Sequence, residues 1–381
     1  MKVLRVTSSM NPDEGGVVEA INQACKLFND NKYRMDVLCH DESNVKKHED
    51  SKDYCIISLG KGVTSYKFNI KLIHWLINNS RKYDLVIIDG LWQFHSISGF
   101  ILKLLGVPYF VFVHGMLDPY FNSNKLKYFK KLPFWFLIER NILAMANGVI
   151  FTCEEEKRLA AKSFPFYKVK PLICSLGVEG CINQPEVTSE AFLDTYPDLR
   201  DKSFMLFLSR VNPKKGLDLL IKSFARLSDT HGKVIAIAGP TNAAYKEELM
   251  SLIRNEGIEN SVFWLGSIRG DVKWGAYELA DCFILPSHQE NFGIVVAEAL
   301  STSTPTLISN KVNIYDEVER FSAGFVSEDT VDGTFDSLNR WLSLTPEEKS
   351  NMGKQAYLCY SSCFSTASAY SQLKKCLDLI A

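Results

Sequence analysis

The sequence predicts an α/β protein built from two doubly wound parallel sheets, each in its own domain. Three observations lead there. Strand-like apolar runs alternate with helical patterns, as in β-α-β units. At 381 residues the chain exceeds one ordinary core, so two domains of roughly 150–200 residues are expected. The alternation then starts again in the second half, without a sequence repeat.

The first half opens with a strand at 2–8, a loop containing Gly15 and Gly16, and a helix over 18–29. A glycine pair between strand and helix places backbone N–H groups where an anion can sit; a plain hinge reads equally well. Further strands are expected at 33–39, 54–58, 85–89, 109–113, 148–151 and 170–173. Helices are expected at 68–79, 96–105 and 125–146. His114 directly follows the fifth of the half's seven expected strands. Ligands gather at the carboxyl ends of parallel strands, which makes this histidine a candidate site residue as well as a structural one.

Residues 119–138 interleave Lys125, Lys127, Lys130 and Lys131 with seven aromatic residues and contain no acid. That mixture suits an anionic membrane surface. Lysines in water with aromatics in the core is the plainer reading, and Pro133 interrupts the helical pattern. The polar stretch 183–189 reads as the linker between domains.

In the second half, strands are expected at 204–209, 234–238, 262–265, 282–286, 306–308 and 324–326, with helices at 217–228, 243–255 and 271–279. Two helices are expected over 345–381. The first strand runs into Ser209-Arg-Val-Asn-Pro-Lys-Lys-Gly216. Arg210 and Lys215 beside a helix start can neutralise a diphosphate, or can be ordinary solvated charges. The chain centres on 287–301, SHQENFGIVVAEALS. A buried strand turns there through Glu290 into a helix from about Phe292, with Glu298 eight positions after Glu290. Gly293 permits close backbone approach, and the helix start offers free N–H groups to phosphate. Two ordinary surface acids remain the alternative.

Composition narrows the class. An apolar fraction of 46% and a charged fraction of 23% are those of a globular protein. A net charge of −1 gives no global case for nucleic acid. The ten cysteines are scattered with no C-x-x-C pair, which reads as reduced thiols in a cytosolic protein and not as a disulfide frame or zinc site. The N-terminal MKVLRVTSSM reads as a strand and not a signal peptide. No run of about 18 apolar residues suggests a membrane span.

Four features now stand together: a Gly-Gly loop after the first strand, a histidine after a later strand, an Arg…Lys-Gly loop, and E-x₇-E led by A-D-x-F-x-x-P-S. Together they resemble glycosyltransferase family 4, the retaining sugar transferases of GT-B fold. The resemblance covers nearly the whole chain. It implies two Rossmann-like domains facing a central cleft, with the acceptor-side domain over 1–182, the donor domain over 183–362, and a last helix over 363–381 packing back on the first domain. It implies a UDP- or GDP-linked sugar as donor, with no cofactor. Arg210 and Lys215 would hold the diphosphate, Glu298 the ribose, and Glu290 the sugar hydroxyls. Amides of Asn291, Phe292 and Gly293 would face sugar and phosphate. Ser267 and Ile268 would meet the base, His114 the donor sugar, and Gly15 and Gly16 the phosphates or the acceptor.

The chain has no D-x-D, so metal-independent transfer is expected. The HGMLDP segment and its lysine-rich continuation resemble members that build bacterial surface polysaccharides such as O-antigen or capsule. This implies a polyprenyl-diphosphate-linked glycan acceptor and a peripheral place on the cytoplasmic face of the inner membrane. Ser209, where the family often has Gly, and Glu179, where it often has Asp, depart from the pattern. A sugar-nucleotide 2-epimerase or a non-catalytic binding protein of the same fold stays open.

Overall fold

The computed structural model describes residues 1–12, 16–28, 33–42, 54–122 and 124–379. The chain divides into two compact units: Met1–Gly177 with Thr366–Ala381, and Val178–Ser365. The boundaries expected after 182 and 362 both fall inside the second unit.

The first unit runs β1 (Lys2–Thr7), α1 (Gly16–Phe28), β2 (Arg34–Cys39), β3 (Ile56–Ser58), α2 (Lys71–Asn79), β4 (Leu85–Asp89), α3 (Ser98–Leu105) and β5 (Tyr109–Phe112). It continues with α4 (Lys125–Phe134), α5 (Arg140–Met145), β6 (Gly148–Phe151), α6 (Glu154–Ala160) and β7 (Pro171–Ile173). The strands form one parallel sheet in the order β3-β2-β1-β4-β5-β6-β7. Its central strands are buried on both faces: Val3, Leu4, Val6 and the whole run from Leu85 to Ile88 have no exposed surface. That is why these strands read as continuous apolar runs and not as alternations. The strand order reverses between β1 and β4, which makes their carboxyl ends the natural ligand edge.

The helix expected over 125–146 is interrupted. Pro133 lies inside α4, and a π-helical turn over Trp135–Glu139 separates α4 from α5. Proline removes a helical donor, and the wider turn accommodates the loss.

The second unit runs α7 (Pro185–Thr195), β8 (Phe204–Leu208), α8 (Leu217–Ala225), β9 (Val234–Ala238), α9 (Ala243–Asn255), β10 (Val262–Gly266), α10 (Gly270–Leu279), β11 (Cys282–Leu285) and α11 (Ile294–Ser301). Then follow β12 (Thr306–Ser309), α12 (Tyr315–Arg320), β13 (Gly324–Ser327), α13 (Val331–Ser343) and α14 (Pro346–Cys359). The sheet order is β10-β9-β8-β11-β12-β13, all parallel, with its reversal between β8 and β11.

The polar stretch read as a linker lies largely within α7. Thr188 and Phe192 are fully buried, and the Thr188 hydroxyl donates to Glu278 on α10. A Cβ at Gly275 would meet Thr188 O at 2.1 Å, so α10 and α7 pack backbone to backbone. The chain returns to the first unit as α15 (Thr366–Asp378). There Tyr370 stacks on Phe28 at 4.5 Å, and the Tyr33 hydroxyl donates to Asp378 over 3.1 Å.

Candidate functional site

In the second unit the predicted residues collect at the carboxyl edge of the sheet. Arg210 and Lys215 follow β8, Ser267 and Ile268 follow β10, and Glu290 to Gly293 follow β11. The loops after β8 and β11 are tied together. His288 N donates to Lys214 O at 2.8 Å, and Ser287 Oγ donates to the same carbonyl at 3.0 Å. Gly216 makes this approach possible. It has φ +69°, and a Cβ there would stand 2.1 Å from Pro286 O. A side chain at 216 would push the two loops apart.

The approach brings Lys215 against Glu290, where the two side chains form an ion pair. Lys215 is 7% exposed and Glu290 21%. Burial, with Lys214 and Arg210 nearby, pulls the Lys215 ammonium down to about 8, while the Glu290 contact favours its charge. Arg210 is exposed. Glu290 is fixed through its backbone: its N–H donates to Lys311 O at 2.9 Å, and its carbonyl accepts from Asn313 N at 3.0 Å.

Gly293, at φ +73°, turns the chain into α11, so the helix starts at Ile294 and not at Phe292 as expected. No side chain caps this end, which leaves the helix N–H groups available to an anion. Asn291 is half-buried, and the Phe292 ring is buried edge-on to Phe364 at 5.6 Å. The Glu298 carboxylate is held at both oxygens. Lys273 Nζ lies 2.9 Å from Oε1, and the Tyr277 hydroxyl donates to Oε2 over 2.9 Å. Lys273 and Tyr277 were not among the residues read from the sequence. Their spacing of four on α10 is the signal that could have paired them. Ser267 is exposed and Ile268 half-buried.

In the first unit, Gly16 begins α1 and is exposed, while Gly15 lies outside the described residues. His114 stands just past β5 in a left-handed conformation, φ +51°. Its ring stacks on Phe112 at 4.0 Å and its side chain is only 3% exposed. His114 Nε2 lies 2.8 Å from Asp89 Oδ1, and Arg5 Nε donates to Asp89 Oδ2 over 2.9 Å. Burial alone would raise the Asp89 carboxyl; Arg5 and His114 outweigh it and hold it below the usual range. The imidazole is therefore turned towards Asp89 and not towards solvent.

The aromatic-lysine stretch divides. Trp135 is buried, whereas Leu126, Phe129, Phe134, Phe136 and Leu137 are exposed. Lys125, Lys127 and Lys130 are exposed as well. Lys131 instead lies over the Trp92 ring, 4.9 Å from its centroid, and burial lowers its pKa. Among the described residues no helix is long and apolar enough to cross a membrane.

Residues 14–178 match the family described as Glycosyltransferase Family 4, and residues 195–358 match Glycosyl transferases group 1. The first half of the chain matches one glycosyltransferase family and the second half another, and its two sheet units have the GT-B fold. A D-inositol 3-phosphate glycosyltransferase of Actinosynnema mirum is 30% identical to this GT-B-type chain over 179 residues, 44% of this chain and 42% of that protein. The chain spans less than half the length of the curated relatives it matches. Among solved structures, HepE of Anabaena in complex with UDP aligns with a TM-score of 0.78 at 17% identity, covering 99% of this chain and 100% of that one. WaaG, a glycosyltransferase involved in lipopolysaccharide biosynthesis, aligns with a TM-score of 0.64 at 15% identity, over 100% of both chains. At these identities the structural likeness speaks for the fold.

Proposed function

We propose that the protein is a retaining glycosyltransferase. It moves a hexosyl group from a UDP- or GDP-linked sugar to a lipid-linked oligosaccharide or polysaccharide in bacterial surface-glycan synthesis. The observation that carries this reading is the Lys215–Glu290 pair beside exposed Arg210, set next to an uncapped helix start. HepE, of the same fold, holds UDP, and WaaG serves lipopolysaccharide synthesis.

Breaking the sugar–phosphate bond puts negative charge on the departing diphosphate and positive charge on the sugar. Arg210, Lys215 and the α11 N-terminus stabilise the first without calling on a metal ion. Glu290, released from Lys215 when phosphate takes its place, accepts hydrogen bonds from the sugar hydroxyls. Glu298, oriented by Lys273 and Tyr277, accepts from the ribose. The acceptor attacks on the face the phosphate leaves, and a phosphate oxygen takes its proton.

The exposed apolar and lysine face of α4 fits an anionic membrane surface at the cytoplasmic face of the inner membrane, where a polyprenyl-linked acceptor resides. The test is transfer from UDP- and GDP-sugars to a polyprenyl-diphosphate-linked acceptor, with and without anionic vesicles. Sugar transfer supports the reading. Isomerisation of the nucleotide sugar without an acceptor would point to an epimerase instead. Binding without turnover on any acceptor would point to a non-catalytic role.

A further inference from the structure

We propose that Cys363 and Cys359 form a peroxide-reactive modification site in the second unit, with Cys363 as the attacking thiol and Cys359 as the resolving one. They sit one turn apart, where α14 ends and a π-helical turn, Tyr360–Phe364, begins. The Cys359 thiol donates to Glu317 O over 3.6 Å, and the two thiols perturb each other's ionisation. Arg320 Nη2, at the end of α12, lies 3.6 Å from Cys363 Sγ. Cys363 is half-buried and adjoins exposed Ser362, while Cys359 is fully buried behind it. A reachable thiol beside a cation, backed by a second thiol, is the arrangement of a redox-sensitive pair.

The electrostatics agree with the geometry. The neighbouring Cys359 thiol, and then Arg320, hold the Cys363 thiol below its ordinary value against burial and the Glu317 carboxylate. Cys359 is pushed up by the neighbouring Cys363 and by burial. Cys25, Cys174 and Cys282 are buried, and burial pushes their thiols up, which keeps them inert.

The chemistry balances with one hydrogen peroxide. The Cys363 thiolate attacks one peroxide oxygen, the O–O bond breaks, and hydroxide leaves to become water. The sulfur of the resulting sulfenic acid is then attacked by Cys359. An S–S bond forms, the S–O bond breaks, and a second water departs. Two thiols have given up two electrons and two protons; the peroxide has taken them. Side chains one helical turn apart have Cβ atoms about 5–6 Å apart, while a disulfide needs about 3.5–4.5 Å. Closure therefore tightens the turn that carries Phe364, the ring packed on Phe292.

The test is peptide mapping of the reduced, full-length protein after brief exposure to hydrogen peroxide. Exposed Cys55 serves as internal reference. The Cys359–Cys363 peptide should lose two hydrogens, regain them with dithiothreitol, and react at least about 10-fold faster than Cys55. Cys359→Ser should leave a sulfenic acid at Cys363 that dimedone traps, and Arg320→Gln should slow the reaction severalfold. Oxidation of Cys363 no faster than Cys55, or a rate untouched by Arg320→Gln, would overturn the proposal. Should Cys359→Ser fail to fold, Cys363→Ser at the half-buried position serves: it should abolish the disulfide, and oxidation of Cys359 at an undiminished rate would overturn the assignment.

Discussion

Lys215 and Glu290, 75 positions apart in sequence, form an ion pair at the carboxyl edge of the second sheet. On the proposed function, diphosphate and sugar exchange this contact for their own. Glu290→Gln keeps the shape and removes the charge. Sugar transfer by that variant should fall by about 100-fold in kcat, of the order seen when one preorganised charge-stabilising group is lost. Steady-state kinetics with a nucleotide sugar and acceptor check this; an unchanged kcat would exclude Glu290 from the chemistry.

The ammonium of Lys215 titrates unusually low, at about 8, because burial and two neighbouring cations disfavour its charge. Its folded value lies below the ordinary 10.5, so the charged form opposes folding below about pH 8, and the opposition is relieved as pH rises from 8 towards 10.5. Diphosphate binding needs the charged form and runs the other way. UDP affinity, measured calorimetrically from pH 6.5 to about 9.5, should weaken as pH rises through about 8. Lys215→Arg, which stays charged, should flatten the profile. The same pH dependence in both proteins would assign the titration elsewhere.

Lys273 and Tyr277 orient Glu298 from α10. If Glu298 binds ribose in ground state and transition state alike, losing its orientation raises KM and spares kcat. Lys273→Met should raise the donor KM by about 10-fold, the equivalent of one charge-assisted hydrogen bond. A fall in kcat at constant KM would contradict a ribose role.

Glu139 is a stability element of the first unit. It is fully buried, accepts from Trp92 N at 2.8 Å and Ser96 Oγ at 2.9 Å, and burial pushes its carboxyl up to about 7. The folded value lies above the ordinary 4.5, so the folded state holds this proton more tightly than the unfolded chain does. Its contribution is full below about pH 4.5 and is lost as pH rises through about 7. Glu139→Gln should be more stable than the parent at pH 8, by up to about 3 kcal/mol, with the difference shrinking towards pH 5. Denaturant melts at both pH values measure it; a variant less stable at pH 8 would show that the ionised form is the better partner.

The sheets were legible because their strands are buried on both faces. The runs at 85–89, 148–151 and 234–238 coincide with β4, β6 and β9. α7 was not legible, since only Thr188 and Phe192 of its residues are buried and it docks through a glycine, not an apolar stripe. Arg210, Lys215, Ser267, Ile268 and Glu290 lie on loops at the strand ends and Glu298 in the helix that follows, but their side-chain partners were not read from the sequence. Lys215 meets Glu290 only after the sheet has brought two loops to one edge, and Lys273 meets Glu298 only once α10 and α11 pack side by side. His114 was placed rightly at the end of β5. That its ring faces Asp89 depends on a left-handed backbone turn that residue type alone does not announce.

The central claim is that Arg210 and Lys215 hold a nucleotide diphosphate. It is tested most directly by titrating UDP and GDP into the parent protein and the Arg210→Ala/Lys215→Ala double variant, with thermal melts confirming that both are folded. The account predicts saturable binding of one of the two nucleotides to the parent and a loss of at least about 100-fold in the variant. Equal affinity in both proteins would contradict it.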